Sequence, residues 1–116
     1  MERRKFFTRS GGSPERVWLD PGIGFGKNLD HNLSLLKHLD EICALGPVVL
    51  GASRKTFLGQ LMALEGQDLP GPELRLEGSL AAACWASLAG AKVLRVHDAA
   101  ATRRALAVIG AVRQAP

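Results

Sequence analysis

Asp20-Pro21-Gly22-Ile23-Gly24-Phe25-Gly26-Lys27 directly follows a short apolar run, Val17 to Leu19, and the same arrangement occurs twice more in the chain. Gly51-Ala52-Ser53-Arg54-Lys55 follows Pro47 to Leu50, and Arg95-Val96-His97-Asp98 ends the run that begins at Val93. None of the three runs alternates with polar residues, which is the pattern of a strand buried on both faces of a parallel sheet. Each is followed by a helical stretch. Asp20, Lys55 and Arg95 are 35 and 40 residues apart, about one strand-loop-helix-loop unit plus an insertion. Polar side chains leaving the carboxyl ends of successive parallel strands converge on one crevice, where such sheets bind ligands.

Working outward, the Gly-rich loop leads to Asp30, placed to cap a helix over about His31 to Ala44. Leu33, Leu36, Leu39, Ile42 and Cys43 supply its apolar face. Gly46-Pro47 stops it. A short helix is expected from Arg54 to Leu64, then a polar loop over Glu65 to Pro72 and an Ala-rich helix from Glu73 to Leu88 ending at Gly90. Its small residues suit close packing. The third strand spans Lys92 to Val96 and the last helix Ala100 to Val112. The order β-α-β-α-α-β-α, without an internal repeat, predicts a parallel α/β fold. Residues 1–15 read as an irregular segment and 16–116 as the folded domain.

The chain has 116 residues, of which 47% are hydrophobic and 22% charged, enough for one domain with a core and too apolar for a disordered tail. Residues 1–16 hold five Arg or Lys against two Glu and so carry +3 of the net +4. With no basic face and no interleaved aromatics, no nucleic-acid partner is expected. No run approaches a membrane span. Met1 to Ser13 contains no apolar signal region, so a cytoplasmic protein is expected. Cys43 and Cys84 read as buried thiols, His31 and His38 as ordinary helix residues, and no spacing suggests a metal centre.

The motifs also exclude familiar sites. Gly22 to Lys27 lacks the first Gly and the Ser or Thr of a P-loop, having Pro21 and Asn28 there, and Lys27 occupies the last glycine of a dinucleotide fingerprint. Gly51 to Lys55 fails as a nucleophile elbow because its fifth residue is Lys. Three glycines in five residues imply a sharply bent backbone, with or without a ligand close by. Asp20 suits an aminopyrimidine or guanidine-like group, or else caps its loop. Ser53, Arg54 and Lys55 at a strand-to-helix turn form an anion site for a carboxylate or phosphate. Arg95 and His97, two apart on a strand, share a face and suit a pyrophosphate, although each also fits a structural role.

Taken together, the three motifs, with Asn28-Leu29, Asn32, Ser34-Leu35-Leu36 and Gly78-Ser79-Leu80-Ala81, resemble the carboxyl-terminal signatures of dihydropteroate synthase in order and spacing. The resemblance runs from about Val17 to the end. It implies a TIM (β/α)8 barrel and a transferase of folate biosynthesis. That enzyme joins 4-aminobenzoate to 6-hydroxymethyl-7,8-dihydropterin pyrophosphate, releasing pyrophosphate with help from magnesium. By this resemblance Asp20, Lys55 and Arg95 bind the pterin, and Arg95 with His97 binds the pyrophosphate. Lys55, Arg95 and His97 are then the catalytic residues. Ser53 and the helix amides after it receive the aminobenzoate carboxylate, with Phe25 beside its ring, where sulfonamides compete.

A complete barrel of this kind needs about 250 residues. The resemblance covers only its last three strands, so the expectation is an incomplete barrel that is inactive alone. The first five strands, two mobile loops, the Asn that binds magnesium, and an Asp and Asn of the pterin pocket have no counterpart here. Two alternatives stand beside the enzyme reading: a noncatalytic pterin-binding or assembly module, or one half of a split synthase. The pterin-binding domain of corrinoid methyltransferases shares the barrel and the Asp, but the Ser53-Arg54-Lys55 and Arg95-Val96-His97-Asp98 motifs argue against it. In the family the last helices form a dimer interface, so a homodimer through the C-terminal helices is expected.

Overall fold

In the computed structural model, which describes residues 17–116, the segment around Val48 forms the centre of the fold. β1 (Val49–Leu50) pairs in parallel with β2 (Val93–Leu94), Val49 facing Val93 and Leu50 facing Leu94. On the other side Val48 makes a single parallel bridge to Leu19. The three expected strands therefore lie side by side and parallel, in chain order. They are shorter than expected, the first being one bridge, although hydrogen bonds from Leu19 N to Pro47 O (2.8 Å) and from Arg95 N to Leu50 O (2.9 Å) extend the pairing. The expected irregular segment 1–15 lies outside the described residues.

At the centre burial is complete on the face of Val48 and Leu50 and partial on that of Val49, and it fails at the edge. Val48 and Leu50 are 0% and 2% exposed, whereas Val93 is 42% exposed. β2 has a partner on one side only among the described residues, so its outer groups meet solvent.

The first helix departs from expectation in two ways. It starts earlier, as α1 (Leu29–Lys37), because Asn28 caps it, accepting from His31 N at 2.8 Å, while Asp30 lies in the first turn. It also breaks at His38, and the chain resumes as α2 (Leu39–Cys43). Apolar residues spaced by three drift about 60° around a helix at each step, so four of them cannot share one face. The break turns Leu39 fully inward, at 0% exposure, and leaves Leu33 37% exposed.

The second half follows the expected order with helix bounds shifted by one to three residues. α3 (Thr56–Met62) is followed by a 3-10 turn, Pro72–Leu74, and by α4 (Leu76–Ala89). Gly90, at φ 109°, caps α4 in the left-handed conformation. Small residues do bring α4 close: Ala82, Ala83 and Ala86 are buried, and a Cβ at Gly78 would lie 2.8 Å from Met62 Sδ. Trp85 Nε1 donates to Leu36 O at 2.6 Å, tying α4 to α1. α5 (Ala99–Arg113) packs on α4, leaving Trp85, Leu88, Val108 and Val112 exposed. Cys43 and Cys84 are free thiols, half-buried rather than buried; burial, then Asp40, raises the Cys43 pKa. No described helix is long and apolar enough to cross a membrane.

Candidate functional site

The three motifs meet because the parallel register brings the ends of their strands level. Arg95 Nη2 pairs with Asp20 Oδ2 at 3.0 Å, and the other Asp20 oxygen accepts from Gly22 N at 2.8 Å. Lys55 donates to Ile23 O and sits over the Phe25 ring, 4.4 Å from its centre. His97 approaches Ser53 twice, its N–H at 3.2 Å and its Nδ1 at 3.0 Å from Oγ. All six expected site residues lie at the same end of the strands. Five of them, Phe25, Ser53, Lys55, Arg95 and His97, line one open cavity of about 280 Å³.

A second cavity of about 380 Å³ adjoins it across Phe25 and Lys55, lined further by Lys27, Asn32, Thr56 and Gln60. Asn32 was visible in the sequence only as part of the resemblance. Its side chain is buried, at 2% exposure, and accepts from Gly24 N at 2.8 Å, pinning the Gly-rich loop to α1. Gly22, Gly24 and Gly26 all have positive φ, which explains their spacing as a run of left-handed turns. Lys27 ends the first motif, whereas Thr56 and Gln60 lie outside all three; Thr56 is the first residue of α3, one position beyond Lys55.

Burial lowers the Lys55 pKa most, Arg95 and Lys27 lower it further, and Asp20 opposes them. The Asp20–Arg95 pair is half-exposed, its side chains 42% and 56% accessible, so its contribution to stability is about 0–1 kcal/mol. Its value is in fixing Asp20 and Arg95 relative to each other. Arg54, the middle of the second motif, turns away from the cavities to pair with Asp98 at 3.0 Å. It has a φ of 59°, a left-handed conformation that costs a residue with a Cβ about 1–2 kcal/mol. At this turn two amides ahead of α3 are taken up by the protein itself, Arg54 N donating to Ser79 Oγ at 2.9 Å and Lys55 N to Ala52 O at 3.2 Å.

No three of His, Cys, Asp or Glu come together among the described residues. Asp20 and Asp98 are each bound to a guanidinium, which leaves neither as an open carboxylate for a magnesium ion.

Gly51 sets how closely Arg95 lies against the strand end. A Cβ there would fall 2.6 Å from Arg95 Nη2. Gly51→Ala should therefore displace the guanidinium from Asp20 with little change in melting temperature, because the far end of a flexible side chain gives way. An NMR comparison of the Arg95 Nε–H signal checks this; an unshifted signal would refute it.

A short parallel sheet whose strand ends gather Asp20, Lys55, Arg95 and His97 around Phe25 defines an α/β protein with a candidate site at the carboxyl edge. More narrowly, the chain belongs to the pterin binding enzyme family, whose pattern it matches over residues 1–97. The dihydropteroate synthase of Escherichia coli (strain K12) is 44% identical over 108 residues, covering 92% of this chain and 36% of that protein. An inactive dihydropteroate synthase 2 of Mycobacterium bovis is 41% identical over 105 residues, covering 90% of this chain and 31% of that protein. The structure is similar to Xanthomonas albilineans dihydropteroate synthase in complex with 7,8-dihydropteroate, with a TM-score of 0.90 and 45% identity over 99% of this chain and 42% of that one. The same protein has been solved with 4-aminobenzoic acid. The chain thus spans about a third of the length of the curated relatives it matches.

Proposed function

We propose that this chain is the carboxyl-terminal part of a (β/α)8 dihydropteroate synthase site, binding the pterin pyrophosphate and 4-aminobenzoate for their condensation. The observation that carries the reading is the convergence of Asp20, Lys55, Arg95 and His97 from three separate strand ends. In the reaction the aminobenzoate nitrogen bonds to the pterin methylene carbon. The carbon–oxygen bond to pyrophosphate breaks with its electron pair leaving on oxygen, and the amine loses a proton to solvent.

Asp20 accepts from the aminopyrimidine edge of the pterin, exchanging its bond to Gly22 N for the ligand's N–H groups. Lys55 donates to the pterin carbonyl and ring nitrogen. Arg95 lies along the pterin and, with His97, meets the pyrophosphate, where positive donors stabilise the charge that develops on the leaving oxygen. Phe25 packs on the aminobenzoate ring. The Ser53 hydroxyl is engaged by His97, so the hydroxyl better placed for the aminobenzoate carboxylate is that of Thr56, which lines the larger cavity with Phe25 and Lys55. Magnesium, where the reaction uses it, would be held by residues other than those described.

The second reading, a noncatalytic binding or assembly module, is not favoured over the synthase reading, although one similar protein is named as inactive. Pyrophosphate release separates the two. The 116-residue chain alone is expected to be inactive, and to release pyrophosphate when mixed with the N-terminal part of a dihydropteroate synthase; no release in either case would sink the catalytic reading. For the pterin contact, Asp20→Asn in the mixed protein should weaken pterin pyrophosphate binding about 10- to 100-fold, the cost of losing charge-assisted hydrogen bonds. Equal heats of binding in calorimetry would remove Asp20 from the site.

A further inference from the structure

Arg54 is the described non-glycine residue with positive φ, and three other residues hold it there. Its N–H donates to Ser79 Oγ at 2.9 Å. Its carbonyl accepts from Arg75 Nη1 at 2.8 Å. Its own guanidinium pairs with Asp98 through Nη2 at 3.0 Å and Nε at 3.3 Å. Arg75 donates from Nε to Pro70 O at 2.8 Å, and Ser79 Oγ donates to Arg75 O at 2.8 Å.

Arg75 and Ser79 are 9% and 6% exposed, so a guanidinium and a hydroxyl have left water to reach one turn. Among the described residues no carboxylate pairs with Arg75; its cation is met by carbonyl dipoles. α3 also makes room for it, since a Cβ at Gly59 would lie 2.7 Å from Arg75 Nε and 3.2 Å from Pro70 O. Burying an arginine against carbonyls is a costly way to close a turn, and a glycine at position 54 would adopt the same φ without strain. What the arrangement achieves is a fixed direction for the residues on either side: Ser53 toward His97 and Lys55 toward Ile23 and Phe25.

We propose that Arg75, Ser79 and Asp98 are positioning residues that clamp the Arg54 turn, aiming Ser53 and Lys55 into the crevice and coupling it to the Glu65–Pro72 loop through Pro70. The role rests on the reading of that crevice as the pterin and aminobenzoate site. A clamp of this kind predicts that Lys55 and His97 lose their surroundings together when a residue outside the crevice is changed.

The test uses the 116-residue chain with Arg75→Gln, with Ser79→Ala as a milder second variant should the first fail to fold. Leu36→Val serves as a core control remote from the turn. Lysines carrying 13C at the ε carbon are followed by NMR across a pH titration, the Lys55 signal being identified by its loss in Lys55→Arg, and the His97 ring nitrogens are followed by 15N shifts. In the clamp variants the Lys55 titration should move up toward the ordinary lysine range and the His97 shifts should lose the Ser53 contact, while the control leaves both in place. Unchanged Lys55 and His97 signals in Ser79→Ala, or equal changes in the control, would overturn the proposal. Calorimetry with 4-aminobenzoate and with the pterin pyrophosphate, on the same chain mixed with the N-terminal part of a synthase, should show at least a tenfold weaker affinity in the clamp variants. If the NMR signals move and the wild-type mixture binds neither ligand, the clamp stands and the pterin-site reading falls.

Discussion

Lys55→Met is expected to weaken pterin capture by roughly 10²-fold or more while costing the fold about 1 kcal/mol or less. The ammonium has two sides. Toward a ligand it supplies charge-assisted hydrogen bonds worth about 1.5–3 kcal/mol each, so losing two of them weakens pterin pyrophosphate binding by roughly 10²-fold or more. Toward the protein it is a cation held near Arg95 and Lys27, with its pKa lowered mainly by burial. Met fills similar space without a charge and keeps contact with the Phe25 ring, while the fold loses one hydrogen bond to Ile23 O.

The pH dependence carries a sign that tests this account. Lys55 is easier to deprotonate folded than unfolded. Between the lowered folded value and the ordinary lysine value of about 10.4, the unfolded chain binds more protons, so wild-type stability gains with rising pH. Lys55→Met lacks that gain. Urea unfolding at successive pH values should show the stability of wild type rising relative to the variant through that window. Relative stability that fell with pH would contradict the burial of the charge, and wild-type pterin affinity in the variant would remove Lys55 from the site.

Sequence carried the site further than it carried the elements. The residue pairs Asp20–Arg95 and Ser53–His97 join motifs 75 and 44 residues apart, and both could be anticipated because parallel strands in register deliver their carboxyl ends to one edge. The Gly-rich loop was legible for a similar local reason, since only glycine takes repeated left-handed turns without strain. Arg75 was not legible. A charged residue three positions into an expected helix reads as a solvated side chain, and its burial depends on Pro70, Gly59 and the Arg54 carbonyl, which only the tertiary fold brings around it. Val93 failed in the opposite direction: its composition matched a doubly buried strand, but burial is a property of neighbours, and β2 stands at the edge.

The helix broken at His38 shows most clearly where periodicity misleads, and it supports the second large prediction. Leu33 and Leu39 were both assigned to one apolar face, yet Leu33 is 37% exposed and Leu39 is 0% exposed within the central cluster with Leu36, Val48 and Ala86. Leu39→Ala should cost about 2–5 kcal/mol, the range for a leucine removed from a core that cannot collapse into the space. That is a large share of the roughly 5–15 kcal/mol that holds a domain folded. Leu33→Ala removes a partly solvated side chain and improves helix propensity by a small amount, so its effect should stay within about 1 kcal/mol. Denaturant unfolding of the two variants side by side decides the matter. Equal losses would mean that one continuous helix presents both leucines to the core, whereas a loss confined to Leu39→Ala follows from the turn at His38 that rotates α2 inward and places α4 against it.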